Sequence, residues 1–393
     1  MARFPWHVAL LSCIAATAAG QGSQTESGQT PSHPTLIPRS HEEREARYRA
    51  IHRIILNVLA VDEFDRPVTG LSAQDFVLLD NGQPQPLATF REVSEEQSIA
   101  PPHVVLILDA VNNNSTSIAF EINEIGKYLK SNQGRLKYPT SLATLTPSGF
   151  KASRPSIDGS ALLLESKNLF KDIHPYVCKN SSDEASEASS LSVHGNRNYS
   201  LSFEKINDGN CLNERFTLSV TALSNLAAAQ VNVPGRVIVI WIGPGWPLLT
   251  GPEFHADTPE IRLNFFDHFV LLSRTLREAQ VTVDAVSSPD LLHKAELQNV
   301  QVKPVAEGPN TEDQARASDF ALQAVVTQSG GRITESASIG DQIARCVADL
   351  QAYYALSFDY LPSSKPDEYH SLKVKVDKAG VRVFTNTLYY AEP

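Results

Sequence analysis

From Ile54 to Phe90 the chain reads IILNVLAVDEFDRPVTGLSAQDFVLLDNGQPQPLATF, short β-type runs separated by turn signals at Asp65-Arg66-Pro67 and Asp80-Asn81-Gly82. Asn81-Gly82 between two extended runs predicts a β-hairpin, because both turn residues must take a positive φ. The pattern then changes. Val104–Leu108 is a continuous apolar run, and Ile118, Ile122, Ile125 and Leu129 follow it at helical spacing. Ser141–Leu145 reads as a second, weaker strand. A helix is expected over Arg215–Gln230, ending before Val233-Pro234-Gly235. Arg236–Ile242 does not alternate at all, so it predicts a strand buried on both faces. A helix over Ile261–Ala279, a strand over Val281–Val286 and a helix over Ala315–Gln328 continue the series. Gly330-Gly331 supplies a C-cap signal, and Ile339–Leu350 makes the last helix. After residue 350 the β-texture returns in AYYALSFDYLP and SLKVKVDKAGVRVFTNTLYYAE, where Lys373, Lys375 and Asp377 alternate with Val374 and Val376.

Strand–helix alternation of this length predicts an α/β fold, a mostly parallel sheet with helices on both faces. The two flanking β-segments are each too short to bury a good core alone. They are expected to pair into one split β-sandwich, with the α/β part inserted. The expected boundaries are 49–98 for the first half of the sandwich, 99–350 for the α/β domain and 351–393 for the second half. Residues 172–212, rich in Ser, Asn and Asp, form a polar insertion in the middle.

Composition narrows the function. The 393-residue chain is 42% hydrophobic and 20% charged, which suits a globular protein, and its formal charge is −10. No Lys/Arg cluster stands out to neutralise phosphates, so a nucleic-acid partner is not expected. Residues 1–20 run from Arg3 through an apolar stretch to Ala18-Ala19-Gly20, the order of a secretory signal peptide. Leu10-Leu11-Ser12-Cys13 loosely resembles a lipoprotein box but sits early, with little apolar sequence before it. Residues 21–48 are rich in Gln, Ser, Pro and Thr and read as a disordered tether. No segment is long and apolar enough to span a bilayer as a helix. The expected location is therefore outside the cytoplasm: periplasmic, secreted or at the cell surface. Export permits a disulfide, and Cys178 with Cys211, flanking one polar stretch, is the expected pair. Cys346 lies among Ile343, Val347 and Leu350 at helical spacing and reads as a buried free thiol, although an odd number of cysteines leaves the pairing open.

Several segments together carry a family resemblance. They are VDEFDRPVTGLSAQDFVLLDNGQPQPLATF, VVLILDAVNN, GRVIVIWIGPGWP, AQVTVDAVSSPDL, VVTQSGGRIT and ADLQAYYALSFDY followed by YHSLKVKV. In this order and spacing, across about residues 50–392, the chain resembles the von Willebrand factor A-related domain proteins described for acidobacteria. The resemblance implies a von Willebrand A-type α/β domain and no known reaction. Such domains carry a metal-ion-dependent adhesion site built on D-x-S-x-S at the end of the first strand, a later Thr and an Asp after the central strand. Asp109 matches the first position, Val111 falls on the second and Asn113 on the third, with Ser115 following. Thr217 matches the threonine, while Gly243-Pro244-Gly245 stands where the closing acid belongs. Mg²⁺ wants near-octahedral oxygen ligands, and one carboxylate beside a valine offers little. The expectation is a degenerate, metal-free site with no cofactor, in which Asp109 caps the next helix or holds loop amides. Binding candidates are Asp109, Asn113, Ser115, Thr217 and Trp246.

Other chemistry is weaker still. Gly243-Pro244-Gly245-Trp246-Pro247 follows a strand as a phosphate loop would, but its prolines remove amide donors and GK[ST] is missing. Trp246 reads either as an anchor for a partner or as packing under its own loop. His41-Glu42-Glu43 lacks a zincin's second histidine, and His255 with Asp257 would need a serine on the same rim. The expected function is an exported, non-enzymatic module that binds a protein partner through 109–117, 243–257 and 287–292. The alternatives are an accessory subunit of an envelope complex, which would bind through the sandwich, and an exported hydrolase.

Overall fold

The computed structural model describes residues 52–94, 100–171, 173–176, 211–231, 233–246, 259–287, 308–315, 321–336 and 338–393. The chain divides into units Met1–Arg47 and Tyr48–Pro393, and every described residue belongs to the second. The signal and tether expectations, Cys178, His255 and Asp257 lie outside the described residues, as does the side chain of Cys211. The proposed disulfide therefore falls there too.

Four strands open the described chain: β1 (Arg53–Val61), β2 (Phe76–Asp80), β3 (Gln83–Gln85) and β4 (Thr89–Ser94). The α/β part follows with β5 (His103–Asp109), α1 (Ser115–Lys130), β6 (Arg135–Thr146), β7 (Gly149–Ala152), β8 (Ser156–Asp158) and α2 (Gly159–Leu169). It continues with α3 (Cys211–Gln230), β9 (Val237–Ile242), α4 (Pro259–Glu278), β10 (Val281–Ser287), α5 (Leu322–Gln328), β11 (Ile333–Glu335) and α6 (Ile339–Ala348). The chain closes with β12 (Ala352–Asp359), β13 (Glu368–Val376), β14 (Arg382–Phe384) and β15 (Leu388–Ala391).

The seven-stranded sheet runs β11-β10-β9-β5-β6-β7, with β8 also on β6. Its pairings are parallel from β11 through β6, and β7 and β8 are antiparallel to β6. The first strand of this sheet, β5, lies between the second, β6, and the fifth, β9, so the order reverses beside it: a topological switch point. Both faces are covered, as the unbroken apolar runs require. Val104, Leu106 and Leu108 share a core with Ile118 and Ile125 of α1, Leu162 of α2 and Ile343 of α6. Val105 and Ile107, pointing the opposite way, pack with Phe216 of α3, Phe269 of α4 and Val325 of α5. Each such buried side chain contributes ~1.5–3 kcal/mol.

Caps fix where the helices start. The Asn114 side chain accepts the Ser117 N–H at α1, Asp158 accepts from Ser160 and Ala161 at α2, and Ser338 accepts from Asp341 at α6. Gly330-Gly331 ends α5 in a Schellman turn, with Gly331 N–H on Val326 O and Gly330 N–H on Thr327 O. Two helices differ from their patterns. α5 begins at Leu322 rather than at Ala315, which is extended after a short turn at Glu312–Gln314. The buried face of α1 includes Glu121 and Glu124, while Ile122 is only half-buried, so the stripe is rotated from Ile118, Ile122, Ile125 and Leu129.

Two four-stranded sheets, β14-β1-β12-β4 and β15-β13-β2-β3, combine strands from both ends of the described chain. Their inward residues, among them Leu56, Phe76, Leu78, Tyr354, Phe358 and Tyr389, form one core. The Asn81-Gly82 turn between β2 and β3 has φ of 48° and 79°, as a tight hairpin of this type requires. Strand β15 is buried at all four positions because it serves two cores. Tyr389 and Ala391 face the sandwich, whereas Leu388 and Tyr390 pack on the α/β side against Phe266 and Phe269. That double duty explains LYYA, an apolar run at the end of an otherwise alternating segment.

Candidate functional site

Asp109 ends β5 at the switch point, where open α/β sheets place their ligands. It is fully buried. The backbone N–H groups of Val111 and Asn112 each donate to Oδ1 at 3.0 Å. Asn112 Nδ2 at 2.7 Å and Trp241 Nε1 at 2.9 Å donate to Oδ2. An ionised carboxylate has about four lone-pair positions, and here each has a donor. Burial raises the Asp109 pKa, and these hydrogen bonds oppose the rise.

The network continues outward. Asn112 Nδ2 also donates to Ser219 Oγ at 2.8 Å, and Ser219 Oγ donates to the Arg215 carbonyl at 2.9 Å. Asn113 Nδ2 donates to Glu121 Oε2 at 2.7 Å, while Asn113 Oδ1 accepts the Asn114 N–H. Glu121 is itself fully buried. Asn112 Oδ1, Glu121 Oε1 and Arg215 Nε are buried without a hydrogen-bond partner. Burial lowers the Arg215 pKa, against the field of Asp109. Trp241 packs edge-on against Trp246, with ring centroids 5.1 Å apart.

Of the sequence candidates, Asp109 sits at the centre and Asn113 on the rim of this network. Ser115 is exposed at the first turn of α1, and the helix cap is Asn114 rather than Asp109. Ser219, not Thr217, carries α3 into the network. Two residues along a helix turn the side chain by about 200°, so Thr217 points away from it. Trp246 is only 3% exposed and packs against Trp241 in the α/β core, so it offers no surface anchor. Asn112, Glu121, Ser219 and Trp241 were missed. Glu121 alone left a signal, an acid three residues after Ile118 on the apolar stripe.

A divalent cation does not fit this arrangement. It would have to displace N–H donors that converge on Asp109, and Asn113 turns its amide nitrogen inward and spends its oxygen locally. Gly243 shows why no acid closes the ring. A Cβ there would lie 3.1 Å from Asp109 Cβ, and φ is 153°, a value that side chains rarely adopt. Cys346, the remaining cysteine candidate, is a buried free thiol in α6.

Burial, with the charge of Asp109 adding to it, pushes the Glu121 carboxyl up to about 8, against the Asn113 hydrogen bond. Unfolded, that carboxyl titrates near 4.5. Between these values the folded state keeps a proton that the unfolded state has lost, so stability falls as pH rises through the window. Asp349, raised by burial to about 7, adds to the same slope over a lower range. Thermal unfolding is expected to show the highest midpoint in mild acid, with a decline up to pH ~8 worth on the order of a few kcal/mol. Glu121→Gln should flatten that decline; an unchanged slope would remove Glu121 as its source.

No protein-family model matches the chain, and no curated protein matches it either.

Proposed function

We propose that the chain is an exported, non-enzymatic protein-binding module of the von Willebrand A type, which engages its partner without a metal ion. The observation that carries this reading is the saturation of Asp109, whose four acceptor positions are met by Val111, Asn112 and Trp241. A carboxylate held this way organises the loop 110–114 from below and leaves nothing for a cation shared with a partner. The doubly wound strand order supports the domain type, and the leader-like first 20 residues support export. The choice of binding over catalysis rests on fold analogy together with the network itself. Glu121, its perturbed carboxyl, is fully buried, and Ser219 spends its proton on Arg215 O.

Calorimetric titration of Mg²⁺ and Mn²⁺ into EDTA-treated protein is expected to give no saturable heat, with Asp109→Ala indistinguishable from wild type. Partner capture from an envelope fraction should proceed equally in EDTA. Saturable binding that disappears in Asp109→Ala, or capture that EDTA abolishes, would replace this reading with metal-dependent adhesion.

A further inference from the structure

A second site lies three strand positions from β5, about 14 Å across the sheet at ~4.8 Å per strand. Here a cavity of about 790 Å³ opens between edge strand β11 with α6 on one side and edge strand β14 on the other. Its size is that of a small-molecule pocket, ~300–1,000 Å³. Three arginines from separate elements converge on one carboxylate in its wall. Arg332 Nη1 lies 3.2 Å and Arg345 Nη1 3.4 Å from Asp65, and Arg382 Nη2 also binds it.

We propose that this cavity binds a small organic anion carrying at least two phosphate or carboxylate groups. Three guanidiniums present about fifteen N–H donors, and one carboxylate accepts about four. Along the lining three arginines face two aspartates, Asp65 and Asp341, in a chain whose formal charge is −10. Arg345 and Arg382 keep 56% and 54% of their side chains exposed, so their remaining donors are open to a ligand. Arg332 is pre-set. Its side chain is 6% exposed, tied to Asp349 at 2.5 Å and stacked 4.8 Å over the Phe384 ring. A planar fork held this way loses little freedom when it binds an oxyanion.

The wall also holds polar atoms that the protein leaves unused. Arg332 Nε, Thr385 Oγ1 and Thr387 Oγ1 are buried without a hydrogen-bond partner, and all three residues line the cavity. A cation is excluded by the guanidiniums. The dimensions favour a small molecule over a polymer.

The test is calorimetric titration of pyrophosphate, inorganic phosphate and citrate into the purified full-length chain at ~0.15 M salt, where loose surface attraction is screened. Saturable binding of pyrophosphate or citrate, tighter than that of inorganic phosphate, is expected. Pyrophosphate ahead of citrate assigns a phosphorylated ligand, and the reverse assigns a polycarboxylate. Arg345→Ala/Arg382→Ala should weaken binding by about tenfold or more. Asp65→Asn, which removes the competing charge, should strengthen it. Arg345→Lys/Arg382→Lys keeps the charge but loses the fork, guards against a folding defect and should fall between. No saturable binding of any probe, or a loss smaller than about tenfold in the double alanine variant, overturns the proposal.

Discussion

Gly331→Ala is expected to destabilise the protein by ~3 kcal/mol or more, at or beyond the upper end of overpacking penalties. A Cβ at this position would lie 1.9 Å from the Val283 carbonyl oxygen and 2.8 Å from Asp284 Oδ1. Neither can yield. Val283 sits in mid-strand, paired in register with Val239, and its N–H is bound by Ser329 Oγ at 3.0 Å. Asp284 Oδ1 accepts the Arg332 N–H at 2.8 Å. β11 pairs with β10 only from Ala285 onward, so ahead of that point the Ser329-Gly330-Gly331 turn covers the exposed side of β10. That cover works because Gly331 puts no side chain against the Val283 carbonyl, while Ser329 Oγ accepts the Val283 N–H. With a total stability of ~5–15 kcal/mol, a loss of this size is read directly in urea unfolding. Gly380→Ala is the control: φ is 77° there, but nothing lies within 4 Å of the added carbon. It should cost only the ~1 kcal/mol of a left-handed backbone. Equal losses in the two variants would mean that the strand yields and the clash at Gly331 costs no more than a left-handed backbone does.

Local signals carried the framework and stopped at the site. Asn81-Gly82, the unbroken Val237–Ile242 run and the Gly330-Gly331 stop are each written within a few residues, and each appears as an element boundary or a strand. β6 runs over Arg135–Thr146, well beyond Ser141–Leu145, because Lys137 and Pro139 interrupt an apolar pattern that sheet pairing then overrides. The network around Asp109 was half legible. Its first residue follows from a strand ending in a carboxylate, but Trp241 reaches Asp109 across 132 residues of chain and Ser219 reaches Asn112 across 107. The arginine cavity left no signal at all. Asp65 and Arg382 are 317 residues apart, and only closure of the sandwich around the α/β part brings them together. Charges scattered singly through a sequence look like solvated surface until topology gathers them.

Asp109→Ala is the second large effect, expected at ~3–5 kcal/mol, the cost of removing one partner from a buried charge network. Two opposed terms decide it. Deleting a buried carboxylate relieves its own desolvation, which is what raises the Asp109 pKa. Against this, the Val111 and Asn112 amides, the Asn112 side chain and the Trp241 indole all lose their acceptor at once, at ~1–3 kcal/mol for each group left unsatisfied. Four orphaned donors outweigh one relieved charge, and water admitted by the small alanine recovers only part of the difference. Trp241→Phe removes a single donor and little volume, so it should cost well under half as much. The pH dependence gives an independent reading, because the charge of Asp109 helps to raise Glu121. Without that charge Glu121 titrates lower, and the fall in stability toward pH ~8 becomes shallower. Wild-type stability and an unaltered pH slope in Asp109→Ala would mean that the carboxylate does not organise this loop. The metal-free reading would then lose its structural basis.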